Sequence, residues 1–266
     1  MIASAHSTSQ VWRDGASAPD HLAEEVPVSL RYNGQAYVVM MCSPQDLEDF
    51  ARGFSVTEGL VGSVRDILDI KVLAASGDDA VQIDIRVTPD CAQVLASRER
   101  NLQGRTGCGM CGEKTLDAAM RPAPRVPAGV AITASALRRA LEAIKRHQPV
   151  NGLTGATHAA AWVSTDGLIL AACEDVGRHN ALDKLIGRLL AQGADLSRGF
   201  CVITSRASYE MVHKAAVVGM PLLAAISAPT ALAVRVAQGA GLTLIGFARR
   251  NQHVIYSCPS RLLEAS

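Results

Sequence analysis

The segments NALDKLIGRLLAQ (Asn180–Gln192), FCVITS (Phe200–Ser205), YEMVHKAAVV (Tyr209–Val218), PLLAAIS (Pro221–Ser227), TALAVRVAQ (Thr230–Gln238) and LTLIGFAR (Leu242–Arg249) follow one another along the chain and decide the fold. The first, third and fifth carry apolar residues at helical spacing, whereas the others are short apolar runs bounded by turn residues. Helices alternating with continuous apolar strands imply a mainly parallel sheet with helices on its faces. Ala215–Val234 holds no charge over a length that could span a bilayer. Pro221, Ser227, Pro229 and Thr230 interrupt it, so it reads as a buried strand and a helix with Pro229 in its first turn, and no membrane span is expected.

Upstream, AAAWVST and LILAACEDV are joined through Asp166-Gly167 as a tight hairpin, and ASALRRALEAIKRHQ is a helix with Leu137, Ala140, Leu141 and Ile144 on its apolar side. Further back, VPVSLRYNGQAYVVMMC is a hairpin turning at Asn33-Gly34. A helix is expected from Ser43-Pro44 with Leu47, Phe50 and Phe54 inward, followed by a hairpin whose turn is Gly77, Asp78 and Asp79. Ser97–Arg125 is rich in Arg, Gly and Pro and reads as an exposed loop around a short KTLDAAM helix. The expected organisation is a flexible tail (1–20), a small N-terminal α+β domain (21–104), a mobile loop region (105–126) and an α/β domain (127–266).

The 266 residues are 48% hydrophobic and 19% charged, which excludes disorder. Lys and Arg total 26 against 25 Asp and Glu, a net +1, so there is no uniform basic field for general nucleic-acid binding. Aromatics at 4% are too sparse for base-stacking platforms. The opening MIASAHSTSQVWRDG lacks the apolar run of an export signal, and seven cysteines, an odd number, suit a reducing compartment; a cytoplasmic protein is expected. Cys42, Cys91, Cys173, Cys201 and Cys258 mostly fall within apolar strands and read as buried, inert thiols.

Two groups of residues could carry chemistry. GCGMCG (Gly107–Gly112) sets Cys108 and Cys111 in C-x-x-C spacing with glycine on every side, and Arg105, Lys114 and a helix start near Glu113 favour thiolate. Sulfur or redox chemistry, half of a zinc site and an inert surface loop all remain open on these residues alone. The second group is polar loops following strands: Arg178, His179 and Asn180 in CEDVGRHNALDK, Ser205 and Arg206 in TSRASYEMVHK, and Ser227–Thr230 in SAPT. Loops at the carboxyl ends of parallel strands share a crevice, where helix N-termini attract anions, and phosphate or pyrophosphate is the natural guest. Neither GxGxxG nor a Walker loop is present. Arg249, Arg250, Asn251 and Gln252 end the last parallel strand and could reach the same anion.

GCGMCG, CEDVGRHNALDK, SRASYEMVHKAA, AISAPTALAV and GFARRNQ, in that order, resemble the FdhD family of formate dehydrogenase accessory sulfurtransferases, from about Glu25 to Tyr256. The resemblance implies a cytoplasmic homodimer that takes persulfide sulfur from a cysteine desulfurase. It delivers that sulfur to the molybdenum (or tungsten) bis-guanine-dinucleotide cofactor, which then enters formate dehydrogenase. It implies a C-terminal domain similar in fold to cytidine deaminases, although the deaminase zinc signature is absent. Cys108 matches the family's persulfide-bearing cysteine, with Cys111 its partner, and Phe247, Ala248, Arg249, Arg250, Asn251 and Gln252 match the cofactor-binding segment. Arg178, His179, Asn180, Ser205 and Arg206 are assigned on physical grounds to the guanine-nucleotide phosphates, with GDP as a mimic. No metal ligands, nucleic-acid partner or membrane partner are expected. A noncatalytic cofactor-binding chaperone, with the C-x-x-C holding zinc or serving as a docking tip, is the alternative.

Overall fold

The structure, a computed structural model, describes residues 4–74, 80–91, 95, 121–250 and 252–263. His6–Arg13 (β1) and Ala16–Ala23 (β2) pair antiparallel from His6↔Ala23 to Arg13↔Ala16. The expected irregular tail over 1–20 is therefore corrected to a hairpin. Asp14 and Gly15 have φ of 51° and 85°, the positive pair that a two-residue hairpin turn requires. Strands polar on both faces hide the alternation that normally marks them.

Val26–Tyr32 (β3) and Gln35–Cys42 (β4) turn at Asn33 and Gly34, with φ of 48° and 86°. With Ile67–Ala74 (β5) and Val81–Val87 (β6) they form a sheet of order β4-β3-β6-β5, in which β3 and β6 are parallel. Helix α1, Leu47–Thr57, buries Phe50 and Phe54 with Val28, Leu30, Ile83 and Ile85. It starts after Asp46 rather than at Ser43-Pro44. Ser43 is drawn into the second domain instead, its N–H donating to Asp175 Oδ2 at 3.0 Å and its Oγ accepting from Val176 N at 3.1 Å.

The second domain runs through Ile132–Thr133 (β7), Ala134–Ala143 (α2), Pro149–Thr154 (α3), His158–Ser164 (β8), Ile169–Asp175 (β9), Arg178–Ala191 (α4) and Gly199–Ile203 (β10). It continues with Tyr209–Val217 (α5), Leu222–Ala225 (β11), Ala231–Ala240 (α6), Thr243–Arg249 (β12), Gln252–Ser257 (β13) and Leu262–Leu263 (β14). Its main sheet has the order β13-β12-β11-β10-β8-β9; β10, β11 and β12 are parallel, and the flanking strands are antiparallel. One face packs Leu182, Leu185, Met211, Val212, Ala233 and Ala237 from α4, α5 and α6. The other packs Leu137 and Ala140 of α2 against Phe200, Val202 and Ile245. The fold is thus the expected small α+β unit beside a mixed sheet covered by helices. No described helix is long and apolar enough to cross a membrane.

The domains meet where α1 crosses α4, and glycine makes the crossing possible. A Cβ on Gly53 would stand 1.8 Å from the Asp183 carbonyl oxygen, and one on Gly187 would stand 1.9 Å from that of Asp49.

Candidate functional site

Strand β9 runs in the same direction as β10, because each is antiparallel to β8. The carboxyl ends of β9, β10, β11 and β12 therefore open on one edge, together with the start of β8 at His158. The loops on that edge are tied to one another. Ala207 N donates to Ala228 O at 3.3 Å, Thr230 N to Ala207 O at 3.0 Å, and Phe247 N to Ser227 O at 3.1 Å.

On this rim His179 Nε2 lies 2.6 Å from Glu210 Oε2 and 3.4 Å from Ser208 Oγ. Ser208 occupies the N-cap position of α5, yet no side chain among the described residues caps that helix, nor α4. By contrast Thr133 and Thr230 cap α2 and α6 with their hydroxyls. The first turns of α4 and α5 thus face the rim without a side-chain oxygen over their amides, the arrangement that accommodates an anion. Arg178 Nε is buried with no hydrogen-bond partner among the described residues, and Arg206 is exposed. Burial, then the nearby Arg178 and His179, hold the His158 imidazole below the ordinary histidine range.

The proposed ligand residues separate into two groups. Asn180 is buried, and its Nδ2 lies 2.8 Å from Met41 O, 3.1 Å from Asp175 Oδ1 and 3.3 Å from Cys42 Sγ, so it joins the domains instead of lining the rim. Ser205 is also buried, its hydroxyl donating to Arg206 O. At the end of β12, Phe247 has φ 48°, Ala248 is buried, and the Arg249 guanidinium lies 6.0 Å from the Phe247 ring centroid. Arg250 Nε is 2.9 Å from Glu142 Oε1 of α2, which draws it toward the opposite face of the sheet. Gln252 is exposed and pairs with Arg249. Asn251, Cys108 and Cys111 lie outside the described residues.

Between the domains lie two buried polar clusters. Lys184 Nζ bonds Asp175 Oδ2 at 2.6 Å and Ser43 O at 2.9 Å, with both charged side chains fully buried. Lys214 Nζ lies 2.9 Å from each of Asp183 Oδ2, Glu58 Oε1 and Thr57 Oγ1. Burial works against the Lys214 charge, but the two carboxylates outweigh it and raise its pKa. Burial pushes Asp183 up, partly offset by Lys214; for Glu58 the same burial is overcome by Lys214 and Arg121, leaving it below the usual range. The missed signal was periodicity: Asn180, Asp183, Lys184 and Gly187 follow i, i+3, i+4, i+7 along α4, one face turned to a partner.

Burial pushes the Cys42 thiol well up, and pushes Cys173 and Cys201 to about 12, so these thiols stay protonated and unreactive. His213 is held low by burial and then by Arg121, with Glu58 and Glu210 acting in the opposite direction. A histidine whose folded pKa is depressed lends stability that is complete above the unfolded value and lost as pH falls. The thermal midpoint is therefore expected to drop as pH falls from 6.5, and the double variant His158→Gln, His213→Gln should flatten that slope in a pH series of melts. Among the described residues no group of His, Cys, Asp or Glu is placed to hold a metal.

The FdhD/NarQ family matches residues 23–263. The chain is 50% identical over 247 residues to the sulfur carrier protein FdhD of Xanthomonas campestris pv. campestris (strain B100), covering 93% of this chain and 87% of the relative. It is 49% identical over 262 residues to the protein of the same description from Cupriavidus necator, covering 97% and 90%. A crystal structure assigned as a formate dehydrogenase accessory protein from Desulfotalea psychrophila superposes with TM-score 0.74 at 22% identity, over 97% of this chain and 98% of that one, and so shares the fold. The chain belongs to the FdhD/NarQ family.

Proposed function

We propose that this chain is a sulfur carrier that serves formate dehydrogenase. The observation that carries the reading is half-identity, over nearly the whole chain, to relatives described as sulfur carriers. In the finer form, the Cys108 thiolate attacks the outer sulfur of a cysteine desulfurase persulfide. A bond forms from Cys108 Sγ to that sulfur, the donor's S–S bond breaks, and the donor leaves as a thiolate. Cys111 assists. The S–S bond to Cys108 then breaks with Cys108 leaving as thiolate, and the outer sulfur passes to the molybdenum or tungsten bis-guanine-dinucleotide cofactor, the acceptor substrate, which supplies the two electrons that bring it to sulfide and whose phosphates lie on the rim at Arg178, His179 and Arg206 and near Phe247–Gln252. Uncapped helix starts and guanidinium groups suit a polyanion better than a small neutral guest. The working unit is a cytoplasmic homodimer.

Intact-mass measurement after incubation with a cysteine desulfurase and cysteine tests this reading. The wild type should gain sulfur, Cys108→Ser should gain none while melting as the wild type does, and Cys111→Ser should lose less. A wild type that stays unmodified but binds zinc through both cysteines would establish the chaperone alternative.

A further inference from the structure

The first turns of α4 and α5 are joined by one ion pair. His179 is the second residue of α4 and Glu210 the second of α5, and the 2.6 Å from His179 Nε2 to Glu210 Oε2 is the length of a charge-assisted bond in which the imidazole donates. The two side chains are only 18% and 19% exposed, which shields the pair from salt and water. Glu210 lies in the turn where helix amides favour negative charge. Its carboxylate therefore stands where the two helix starts would hold an anion. The charged groups around the pair are otherwise engaged. Burial, then Arg178 and His179, hold His158 of β8 low against the pull of Asp175, and Asp175 is itself bonded to Lys184. On the α5 side burial and Arg121 hold His213 low, while Glu58 is taken by Lys214 and Arg121. Arg206, two residues before Ser208, is exposed. Of these three histidines, His179 is the one ion-paired with a carboxylate among the described residues.

We infer that Glu210 is a built-in counter-anion of the rim: it holds the His179 imidazolium while the rim is empty, and an arriving phosphate group has to displace it. The inference rests on the sulfur-carrier reading with its phosphate-bearing guest, and adds how that guest is let go. A carrier hands its guest on, and a crevice made only of guanidinium, imidazolium and helix amides would retain a polyanion. A carboxylate poised to return to His179 offsets part of that attraction and speeds release. It also selects among guests. A group that makes one weak contact cannot compete with the carboxylate, whereas a pyrophosphate ester can engage Arg178, His179 and both helix starts at once.

Glu210→Gln keeps the shape of the side chain and removes its charge. Calorimetric titration with GDP compares this variant with the wild type, both as full chains, at pH 6 and at pH 8. An ordinary histidine, with its pKa of about 6.5, is mostly charged at pH 6, so there the variant only loses a competitor. It should bind GDP about tenfold tighter, the worth of one charge-assisted bond, and release N-methylanthraniloyl-GDP more slowly by a similar factor. At pH 8 the variant's imidazole must first take a proton from the buffer to pair with phosphate, so the gain should vanish. His158, His213 and the GDP phosphate titrate in both proteins, and the ratio of affinities isolates the pair. Equal or weaker binding by the variant at pH 6 overturns the inference. So does a gain undiminished at pH 8, which would make Glu210 a distant like charge and no partner of His179. Should Glu210→Gln not fold, Glu210→Ala, neutral and suited to a helix, takes its place. GDP bound by neither protein overturns the phosphate-binding rim and the counter-anion with it. A wild type that takes up no sulfur at Cys108, yet releases the nucleotide faster than the variant at pH 6, removes the carrier reading and leaves the counter-anion standing.

Discussion

Replacing Gly187 by alanine is expected to destabilise the chain by several kcal/mol and to sharply reduce its soluble yield. The added methyl would stand 1.9 Å from Asp49 O and 2.8 Å from Gly53 N, both backbone atoms that no rotamer can move. The two helices must therefore separate, and overpacking of this kind alone costs about 1–3 kcal/mol. Separation also stretches the Thr57–Asp183 bond of 2.7 Å and the Lys214 contacts of 2.9 Å that bridge the same helices. A buried charge that loses its partner costs about 3–5 kcal/mol more, a large fraction of the 5–15 typical of a whole domain. Gly53→Ala should behave alike, because its Cβ meets the Asp183 backbone. Gly239→Ala is the control: it lies in α6 with open space around the site, so the change should be neutral or gain about 0.5–1 kcal/mol of helix propensity. Thermal melts of the three variants check this, and equal midpoints for Gly187→Ala and Gly239→Ala would refute the close crossing.

Those glycines show where the sequence was opaque. The strands from Gly199 to Arg249 were legible because a buried parallel strand must be continuously apolar, and the turns at Asn33-Gly34 and Asp166-Gly167 because few residues tolerate the positive φ found at Asn33, Gly34 and Gly167. The Asp14-Gly15 turn carried the same signal but lay between strands without an apolar face. On α4 the difficulty was direction. Arg178, His179, Asn180, Asp183 and Lys184 look alike as a polar run, yet a helix turns successive residues by about 100°, which aims the first two at the rim, Asn180 and Lys184 at the end of β4 and Ser43, and Asp183 at Thr57 of α1. Composition cannot separate a ligand from an interface group, whereas a partner helix with its own Gly and Thr at matching spacing can. Ser208 poses the converse case: a residue that fits the cap pattern, with its hydroxyl 3.4 Å from His179.

Reversing Arg178 to Glu should weaken GDP binding by about tenfold or more, since hydrogen bonds to charged groups are worth about 1.5–3 kcal/mol each. Arg178 is the stronger candidate of the rim's cations because its Nε is buried with no partner among the described residues, a donor that a bound phosphate could satisfy without first breaking another of their contacts. Arg206, exposed, is free to move and should contribute less, mainly through long-range attraction that salt screens. Arg250 is already paired with Glu142 across the sheet, so Arg250→Glu should change binding least of the three. Asn180→Ala should lower the melting temperature through its lost bonds to Met41 and Asp175, with nucleotide affinity almost unchanged in what remains folded. Calorimetric titration with GDP at two salt concentrations separates these effects. Equal affinity in the wild type and Arg178→Glu would move the anion away from the start of α4, and a larger loss in Arg250→Glu than in Arg178→Glu would relocate it to the end of β12.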